Sequence, residues 1–240
     1  FEEALSFSRT KRAVLAERYI KGTEFTIDGI KTPSGHYTLA ISEKTHFKHN
    51  DNIANQLYFT HMNPMFDYQK LRVTNDAFVN ASSLRFGFTH AEYKYENGKF
   101  YLIEIGARGG GNMISSIITQ YMTGYDTYKY LIDCSLGNIY EEEFVTPKEY
   151  LNRASVLKFF RTPDGGGKVR TLAGLDFLER TADIKAFKFN FEVGDIIEDA
   201  KNDSARIGFY IACSENRDRL DEVIELVDRN VVIEIESNGK

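Results

Sequence analysis

Two glutamates in one predicted hairpin have the residue type and spacing to bind a divalent cation. Glu92 and Glu104 lie twelve positions apart, in aromatic-rich runs on either side of Asn97-Gly98, a dipeptide typical of tight hairpin turns. With a two-residue turn, position 92 pairs with 103, so the two carboxylates point to opposite faces of the sheet. The turn therefore decides whether a site forms at all.

A three-residue loop predicts the other outcome. If residues 96–98 form the loop, with Gly98 in the left-handed conformation, position 92 pairs with 102 and position 90 with 104. His90, Glu92 and Glu104 then share one face. Adjacent carboxylates repel each other unless a proton or a cation intervenes, and paired hard oxygen ligands suit Mg²⁺. The alternative is that both glutamates are solvated on an exposed sheet face, as most strand glutamates are.

Two stretches of the sequence resemble the ATP-grasp superfamily, in its carbamoyl-phosphate-synthase-like and amino-acid-ligase-like branch. Leu15–Phe25 (LAERYIKGTEF) is similar to the hinge strand of that family, and Thr89–Gly111 (THAEYKYENGKFYLIEIGARGGG) to its metal-binding strands. The resemblance covers about residues 1–140. It implies part of an ATP- and Mg²⁺-dependent ligase that joins a small-molecule carboxylate to an amine, or to a thiol, through an acyl phosphate.

The resemblance also implies roles for residues that bind the nucleoside. The backbone around Glu17 and Ile20 would hydrogen-bond the edge of the adenine. Glu24 would accept hydrogen bonds from the ribose hydroxyls, since an ionised carboxylate is an acceptor only.

The implied phosphate and metal contacts lie in and after the hairpin. Glu92 and Glu104 would hold Mg²⁺, with Mn²⁺ as the alternative ion, against the ATP phosphates. Arg108 would bind a phosphate or the acyl phosphate through its planar guanidinium; the alternative is a surface ion pair. His90 would contact phosphate, or equally be a structural histidine.

The sequence departs from the family pattern in two places. Gly106 stands where many relatives have an asparagine that ligates metal, which leaves the shell of a second metal ion open. No glycine-rich phosphate loop precedes the hinge, and the chain begins at Phe1 without an initiator Met. We therefore expect a fragment of a longer protein that carries the metal carboxylates but does not turn over by itself.

The elements that must position these residues predict an α+β fold. We expect the C-terminal subdomain of an ATP-grasp domain, an antiparallel sheet with helices, over residues 1–146. A small α+β domain would follow over 147–240, after a charged linker at 141–147. Predicted strands span 13–20, 23–30, 36–42, 154–160, 207–212 and 231–235, and residues 43–70 are predicted to be a long loop.

Three helices are predicted from about residue 112 onward. One begins near Asn112 and ends at Gly124. The next is capped by Asp126, with Tyr128, Leu131 and Ile132 on one face and Cys134 buried and inert. The third covers Arg217–Asn230, where apolar residues recur at i, i+3, i+4 and i+7.

Composition excludes several classes of protein. The formal net charge of −5 argues against nucleic-acid binding, and no apolar run approaches the length of a membrane span. The two cysteines do not form a C-x-x-C pair, so neither a disulfide framework nor a thiolate zinc site is predicted. A cytoplasmic location is the default expectation without a signal peptide, and a homodimer is left open.

Other candidates have less support. His46, His49 and His61 lack acidic partners at metal-binding spacing, so a histidine metal site is disfavoured. Lys44, Arg72 and Arg85 are candidates for a substrate carboxylate, although surface charge explains each of them. A dinucleotide-binding oxidoreductase is disfavoured because no G-x-G-x-x-G follows a strand. The main alternative to a ligase is a non-catalytic module that uses the ATP-grasp fold as a scaffold or to bind nucleotide.

Overall fold

The computed structural model describes residues 1–8, 13–48, 50–138, 143–198, 200, 202 and 205–237, with the backbone alone at 51, 52 and 237. Its strands are β1 Thr23–Lys31, β2 His36–Phe47, β3 Asn50–Thr60, β4 Gly87–Glu96, β5 Lys99–Gly106, β6 Ala154–Phe159, β7 Gly167–Ala173, β8 Ile184–Phe189, β9 Ile196–Ile197, β10 Gly208–Ser214 and β11 Val232–Ser237. Its α-helices are α1 Glu2–Phe7, α2 Tyr68–Asn80, α3 Thr119–Thr123, α4 Thr127–Ser135, α5 Leu175–Arg180 and α6 Arg217–Asn230. A π-helical turn, Ile114–Ile118, precedes α3, and a 3₁₀ turn spans Lys148–Tyr150.

Antiparallel strands form one large and one small sheet. The large sheet has the order β5-β4-β1-β2-β3-β6-β10-β8, and the small sheet has the order β11-β7-β9. This confirms the predicted α+β class with an antiparallel sheet and helices. Strands from both sides of the predicted boundary at 146/147 pair in the large sheet, through β3 and β6. The division into domains stays a prediction. No helix in the described ranges is long and apolar enough to cross a bilayer.

Helix α2 covers one face of the first half of the large sheet. Phe25, Ile27, Ile41 and Tyr93 pack there against Leu71 of α2 in one buried cluster. These positions follow the period of two that places alternate strand residues on the same face. The residues between them, including Glu24 and Glu92, point to the other face.

That other face is partly covered by the π-helical turn and α3. Ile114, Ile118 and Met122 pack on Ala40 and, farther along the sheet, on apolar residues of β3, β6 and β10. The cover lies over the middle of the sheet. On the β5-β4-β1 side, α4 packs with Ile30 and Phe88 at one end of the strands, and polar and charged side chains occupy the rest.

In the second half of the large sheet, helix α6 covers the face opposite to the one on which the π-helical turn and α3 pack. It has the bounds that the apolar periodicity predicts, Arg217–Asn230, and the Asn216 side chain caps it by accepting from Arg219 N at 2.9 Å. Leu220, Val223 and Val227 are buried against β6 and β10. This prediction is confirmed because local periodicity and packing agree.

Two strand and loop predictions are wrong. Residues 13–20 form no strand, and most of their side chains are exposed. The region 43–70 is not a loop, because β2 continues to Phe47, β3 occupies Asn50–Thr60 and α2 begins at Tyr68. β3 is paired on both sides, by β2 and by β6, so distant backbone partners stabilise a segment whose own pattern is weak.

The helices near residues 112–135 differ in detail from the predictions. Asn112 and Met113 have positive φ, and helical structure begins only at Ile114. Gly124 ends α3 with φ 79°, and Asp126 caps α4, as predicted. The predicted apolar face of α4 is wrong, since its buried residues are Thr127, Tyr130 and Cys134.

His49 and the linker residues 141 and 142 lie outside the described residues.

Candidate functional site

The hairpin turn has two residues. Asn97 and Gly98 have φ of 51° and 80°, as a type I′ turn requires, and Glu96 pairs with Lys99. The three-residue loop is therefore wrong, and so is its pairing of position 90 with 104. Turn arithmetic alone would then separate the two glutamates onto opposite faces.

A β-bulge brings the glutamates back together. Tyr93 pairs with Leu102, but the register shifts at the next position and Glu92 pairs with Glu104. Ile103 is the extra residue, and two residues of β5 oppose one of β4 at this point. Glu92 and Glu104 are thus directly opposed on neighbouring strands, although the turn type alone predicts the reverse.

The two glutamates belong to a polar face that extends across four strands, with Glu104 on β5. Directly opposed residues share a face, and β4, β1 and β2 place three rows of side chains beside the hairpin. In strand order, the rows are Lys94, Glu24 and Lys44; Glu92, Thr26 and Ser42; and His90, Asp28 and Ala40. We call this surface the polar face.

Glu24 is held among three basic side chains. It is only 7% exposed, and Lys44 Nζ donates a short hydrogen bond to its Oε1. His46 Nε2 lies 3.5 Å and Lys94 Nζ 3.7 Å from its Oε2. These opposite charges offset the cost of burying the carboxylate. An ionised Glu24 can accept further hydrogen bonds, as the predicted ribose contact requires.

Glu92 and Glu104 have the donor chemistry of a magnesium site. The Glu104 side chain is 67% exposed and the Glu92 side chain 28%, with Lys44 Nζ 3.5 Å from Glu92 Oε1. In the described part of the chain, no group of three or more His, Cys, Asp or Glu residues forms a metal cage. Mg²⁺ commonly takes one or two carboxylates and completes its shell with water and phosphate. The pair fits that mode of binding.

His90 pairs with a buried aspartate that sequence reasoning missed. Its Nδ1 lies 3.0 Å from Asp28 Oδ1, and the same oxygen accepts from the backbone N of Gly110 at 3.1 Å. Burial lowers the pKa of His90, but the Asp28 carboxylate outweighs burial, so the pKa of His90 is raised above its ordinary value. Asp28 Oδ2 is buried without a hydrogen-bond partner. The Asp28 carboxylate thus favours the protonated form of His90 beside Glu92.

The glycine segment that follows β5, Gly109–Gly111, is held against the His90–Asp28 pair. A Cβ on Gly110 would lie 2.4 Å from Asp28 Oδ1 and 3.1 Å from His90 Nδ1. Only glycine lets the backbone approach this closely. Asp28 thus ties the segment after β5 to the centre of the polar face.

Arg108 lies at the edge of the polar face. Its Nη2 is 3.8 Å from Glu104 Oε1, its Nη1 donates to Gly109 O at 3.1 Å, and its side chain is 56% exposed. A Cβ on Gly106 would be 3.3 Å from Arg108 Cγ, so glycine at this position leaves room for the arginine. The guanidinium can bind an anion beside Glu104.

The hinge segment lies against the end of the hairpin. Lys21 N donates to Glu96 Oε1 at 2.7 Å, and Arg18 Nη1 donates to Glu96 Oε2 at 2.8 Å. The side-chain hydrogen bond from Arg18 is the main reason that the pKa of Glu96 is lowered. Ile20 is buried and Glu17 is exposed. The structure thus brings Glu24, His90, Glu92, Glu104 and Arg108 together on or beside one face.

The remaining candidates have other surroundings. His46 contacts Glu24, whereas His61 is buried and bonds Met122 O at 3.0 Å. Arg72 donates to two backbone carbonyls, those of Thr38 and His61. These two histidines serve different parts of the fold, and Arg72 is structural. The alternation in Thr23–Ile30 could have identified Asp28 as facing the site, but its partners depend on strand pairing.

The comparisons with known proteins agree with this geometry. Residues 3–116 match the family model of the ATP-grasp domain, and residues 159–236 match that of the L-amino acid ligase C-terminal domain 2. None of the curated proteins compared matches the chain.

Several solved structures share the fold. L-amino acid ligase from Bacillus licheniformis is 19% identical with a TM-score of 0.73, and the match covers 91% of this chain and 53% of that one. Phosphoribosylglycinamide synthetase from Anaerococcus prevotii is 16% identical with a TM-score of 0.68, over 91% and 55%. Biotin carboxylase from Campylobacter jejuni, in complex with a nucleotide, is 14% identical with a TM-score of 0.62, over 91% and 48%.

The chain spans about half the length of these structures. Two domain matches and a shared fold thus make residues 3–116 similar to the ATP-grasp domain and residues 159–236 similar to the L-amino acid ligase C-terminal domain 2.

Proposed function

We propose that the polar face is the nucleotide and metal wall of an ATP- and Mg²⁺-dependent carboxylate–amine ligase. The observation that carries the proposal is the pairing of Glu92 with Glu104, on the face that also holds Glu24. The match to the L-amino acid ligase C-terminal domain supports amino acids as the carboxylate and the amine. A thiol in place of the amine stays the less favoured acceptor.

Each residue of the face has a distinct task in this proposal. Glu24 accepts hydrogen bonds from the ribose, and the backbone near Glu17 and Ile20 contacts the adenine. Glu92 and Glu104 would hold Mg²⁺, or Mn²⁺, which offsets charge on the phosphates when it is bound. Arg108 and the His90 side chain bind phosphoryl oxygens and keep them in line for transfer.

The proposed reaction has two displacements. A carboxylate oxygen of the acid attacks the γ-phosphorus, the bond from that phosphorus to ADP breaks, and an acyl phosphate forms. The amine nitrogen then attacks the acyl carbon, the carbon–oxygen bond to phosphate breaks, and the amine loses a proton as the amide forms. Arg108 stabilises the negative charge of the acyl phosphate and of the departing phosphate.

The test is ADP release by the full-length protein with Mg²⁺-ATP and pairs of L-amino acids. Glu104→Gln keeps the shape of the side chain and removes its charge, so ADP formation should fall by roughly 100-fold or more. Glu179→Gln, on the exposed surface of α5, is the matched control and should keep full activity. Unchanged ADP release from the Glu104 variant would make the metal assignment wrong.

A non-catalytic nucleotide-binding module is the second candidate. Gly106 favours it, because a glycine has no side chain with which to ligate a second metal ion. Calorimetry distinguishes the two. Binding of Mg²⁺-ATP that depends on Glu24 and Glu104, without ADP release for any pair of L-amino acids tested, would favour the module over the ligase.

A further inference from the structure

Lys44 lies between Glu24, which the proposal assigns to the ribose, and Glu92, which it assigns to the metal ion. Its Nζ donates to Glu24 Oε1 and is 3.5 Å from Glu92 Oε1. Strand pairing fixes this position, because Lys44 is directly opposite Glu24 and Glu92 lies in the next row of the polar face. The side chain of Lys44 is only 12% exposed, so its charge is weakly screened by solvent.

The two carboxylates depend on Lys44 to different degrees. Glu24 also has His46 and Lys94 within 4 Å. In the described part of the chain, Glu92 forms its ion pair with Lys44, and Glu104 forms its ion pair with Arg108. Removing Lys44 would leave Glu24 with two basic neighbours but would leave Glu92 without its ammonium.

We infer that Lys44 is an internal counter-ion of Glu92 and makes metal binding depend on the nucleotide. An ammonium group within about 4 Å of a carboxylate repels a divalent ion that binds the same carboxylate. ATP brings phosphates whose negative charge attracts both the ammonium and the metal. The inference rests on the proposed function, since it takes Glu92 as a metal ligand, and it makes Lys44 a positioning residue.

Thermodynamic linkage gives this arrangement a measurable consequence. If the metal binds poorly without phosphate and well with it, then metal and nucleotide raise each other's affinity by the same factor. Loss of the Lys44 charge should strengthen binding of the metal alone and reduce that factor. A lysine that only stabilised the sheet would leave both quantities unchanged.

The experiment is a titration of the protein with Mn²⁺ in the absence of nucleotide, followed by the electron paramagnetic resonance signal of the free ion. Lys44→Met should bind Mn²⁺ about tenfold more tightly than the unchanged protein. Lys44→Arg keeps the charge and should stay within about twofold. Lys94→Met removes the same charge from the other side of Glu24 and should also stay within about twofold.

Two results would overturn the inference. One is Mn²⁺ affinity that is unchanged in Lys44→Met, and in Lys44→Gln if the Met variant does not fold. The other is an equal gain in Lys44→Met and Lys94→Met, which would be a general effect of net charge. Thermal unfolding of each variant identifies those that do not fold.

Failure of the inference is distinguishable from failure of the proposed function. If Glu92→Gln and Glu104→Gln leave Mn²⁺ binding unchanged, the metal site itself is wrong. If those variants weaken binding and Lys44→Met does not strengthen it, the metal site holds and only the role of Lys44 is wrong.

Discussion

The two ends of the large sheet differ in what covers them. At the β6-β10-β8 end, α6 packs on one face and the π-helical turn and α3 reach across the other, so residues such as Val156 and Ile211 are fully buried. At the β5-β4-β1 end, α2 covers one face, and the other is the polar face, with α4 packed beside it on Ile30 and Phe88. The same antiparallel sheet thus supplies a sandwiched core at one end and a polar wall at the other.

The comparison indicates how stability and binding are divided within one sheet. Side chains with apolar partners on the covered faces should contribute mainly to the free energy of unfolding. The exposed charged side chains at the edge of the polar face, Glu104 and Arg108, should contribute mainly to ligand binding, since exposed ion pairs add little stability. Substitutions at the two ends should therefore separate the two properties.

Leu220→Ala should have the largest effect on stability. Leu220 is fully buried between α6 and the sheet, and truncation of a buried leucine costs about 2–5 kcal/mol in lost burial and a residual cavity. Chemical denaturation should show this loss. Mn²⁺ affinity of the folded variant should match the unchanged protein; a large loss of affinity would contradict the division between the two ends.

A pH-dependent effect of somewhat smaller size should come from His61. Burial, followed by the charge of Arg72, lowers the pKa of His61 to about 4. The unfolded chain then binds more protons than the folded protein between pH about 6.5 and 4. Stability should therefore be fully present above pH about 6.5 and fall on acidification, by up to roughly 3 kcal/mol.

Urea denaturation at a series of pH values measures the His61 effect. His61→Asn retains a side-chain donor for Met122 O and does not titrate, so its stability should depend less steeply on pH across this range. An identical pH dependence in the variant and the unchanged protein would show that other groups are responsible.

Asn216→Ala should have a smaller effect on stability, at the β6-β10-β8 end of the sheet that α6 covers. The asparagine side chain accepts from Arg219 N and caps α6, and loss of such a cap costs about 1 kcal/mol. Thermal unfolding should show a small drop in Tm. Asn216→Asp retains an acceptor and should behave like the unchanged protein; a drop as large as that of the alanine variant would mean that the cap is not the cause.

Glu104→Gln should have the smallest effect on stability. The side chain of Glu104 is mostly exposed, and its ion pair with Arg108 spans 3.8 Å at the surface, so the free energy of unfolding should change by less than about 0.5 kcal/mol. Mn²⁺ binding should fall at least tenfold in the same variant. A loss of stability as large as that of Leu220→Ala would contradict the comparison.

Local patterns predicted much of the fold. The helix Arg217–Asn230 and the Asn97-Gly98 turn follow from apolar periodicity and from the φ preferences of two residues. Predictions failed where the stabilising contacts are distant along the chain. β3 is held by β6, about 100 residues farther on, and a tertiary partner of this kind leaves no mark on a local pattern.

The candidate site was predictable to a similar extent. The resemblance identified Glu24, Glu92, Glu104, His90 and Arg108, which the structure places on or at the edge of one face. The contacts of Asp28 with His90 and Gly110 could not be predicted, because they join three segments that only the fold brings together. The bulge at Ile103 was missed because a pairing register shift has no clear sequence signal.

The bulge makes the site sensitive to the number of residues as well as to their identity. Successive strand residues alternate between faces, so the face of Glu104 depends on whether an odd or an even number of residues separates it from the turn. Deletion of Ile103 would remove the unpaired residue and leave Glu104 directly after Leu102, in the position that pairs with Glu92 in a hairpin without a bulge. If the intact strand paired without the bulge, Ile103 would instead oppose Glu92 and Glu104 would point to the other face. The bulge therefore corrects a spacing that is one residue too long for the two carboxylates to meet.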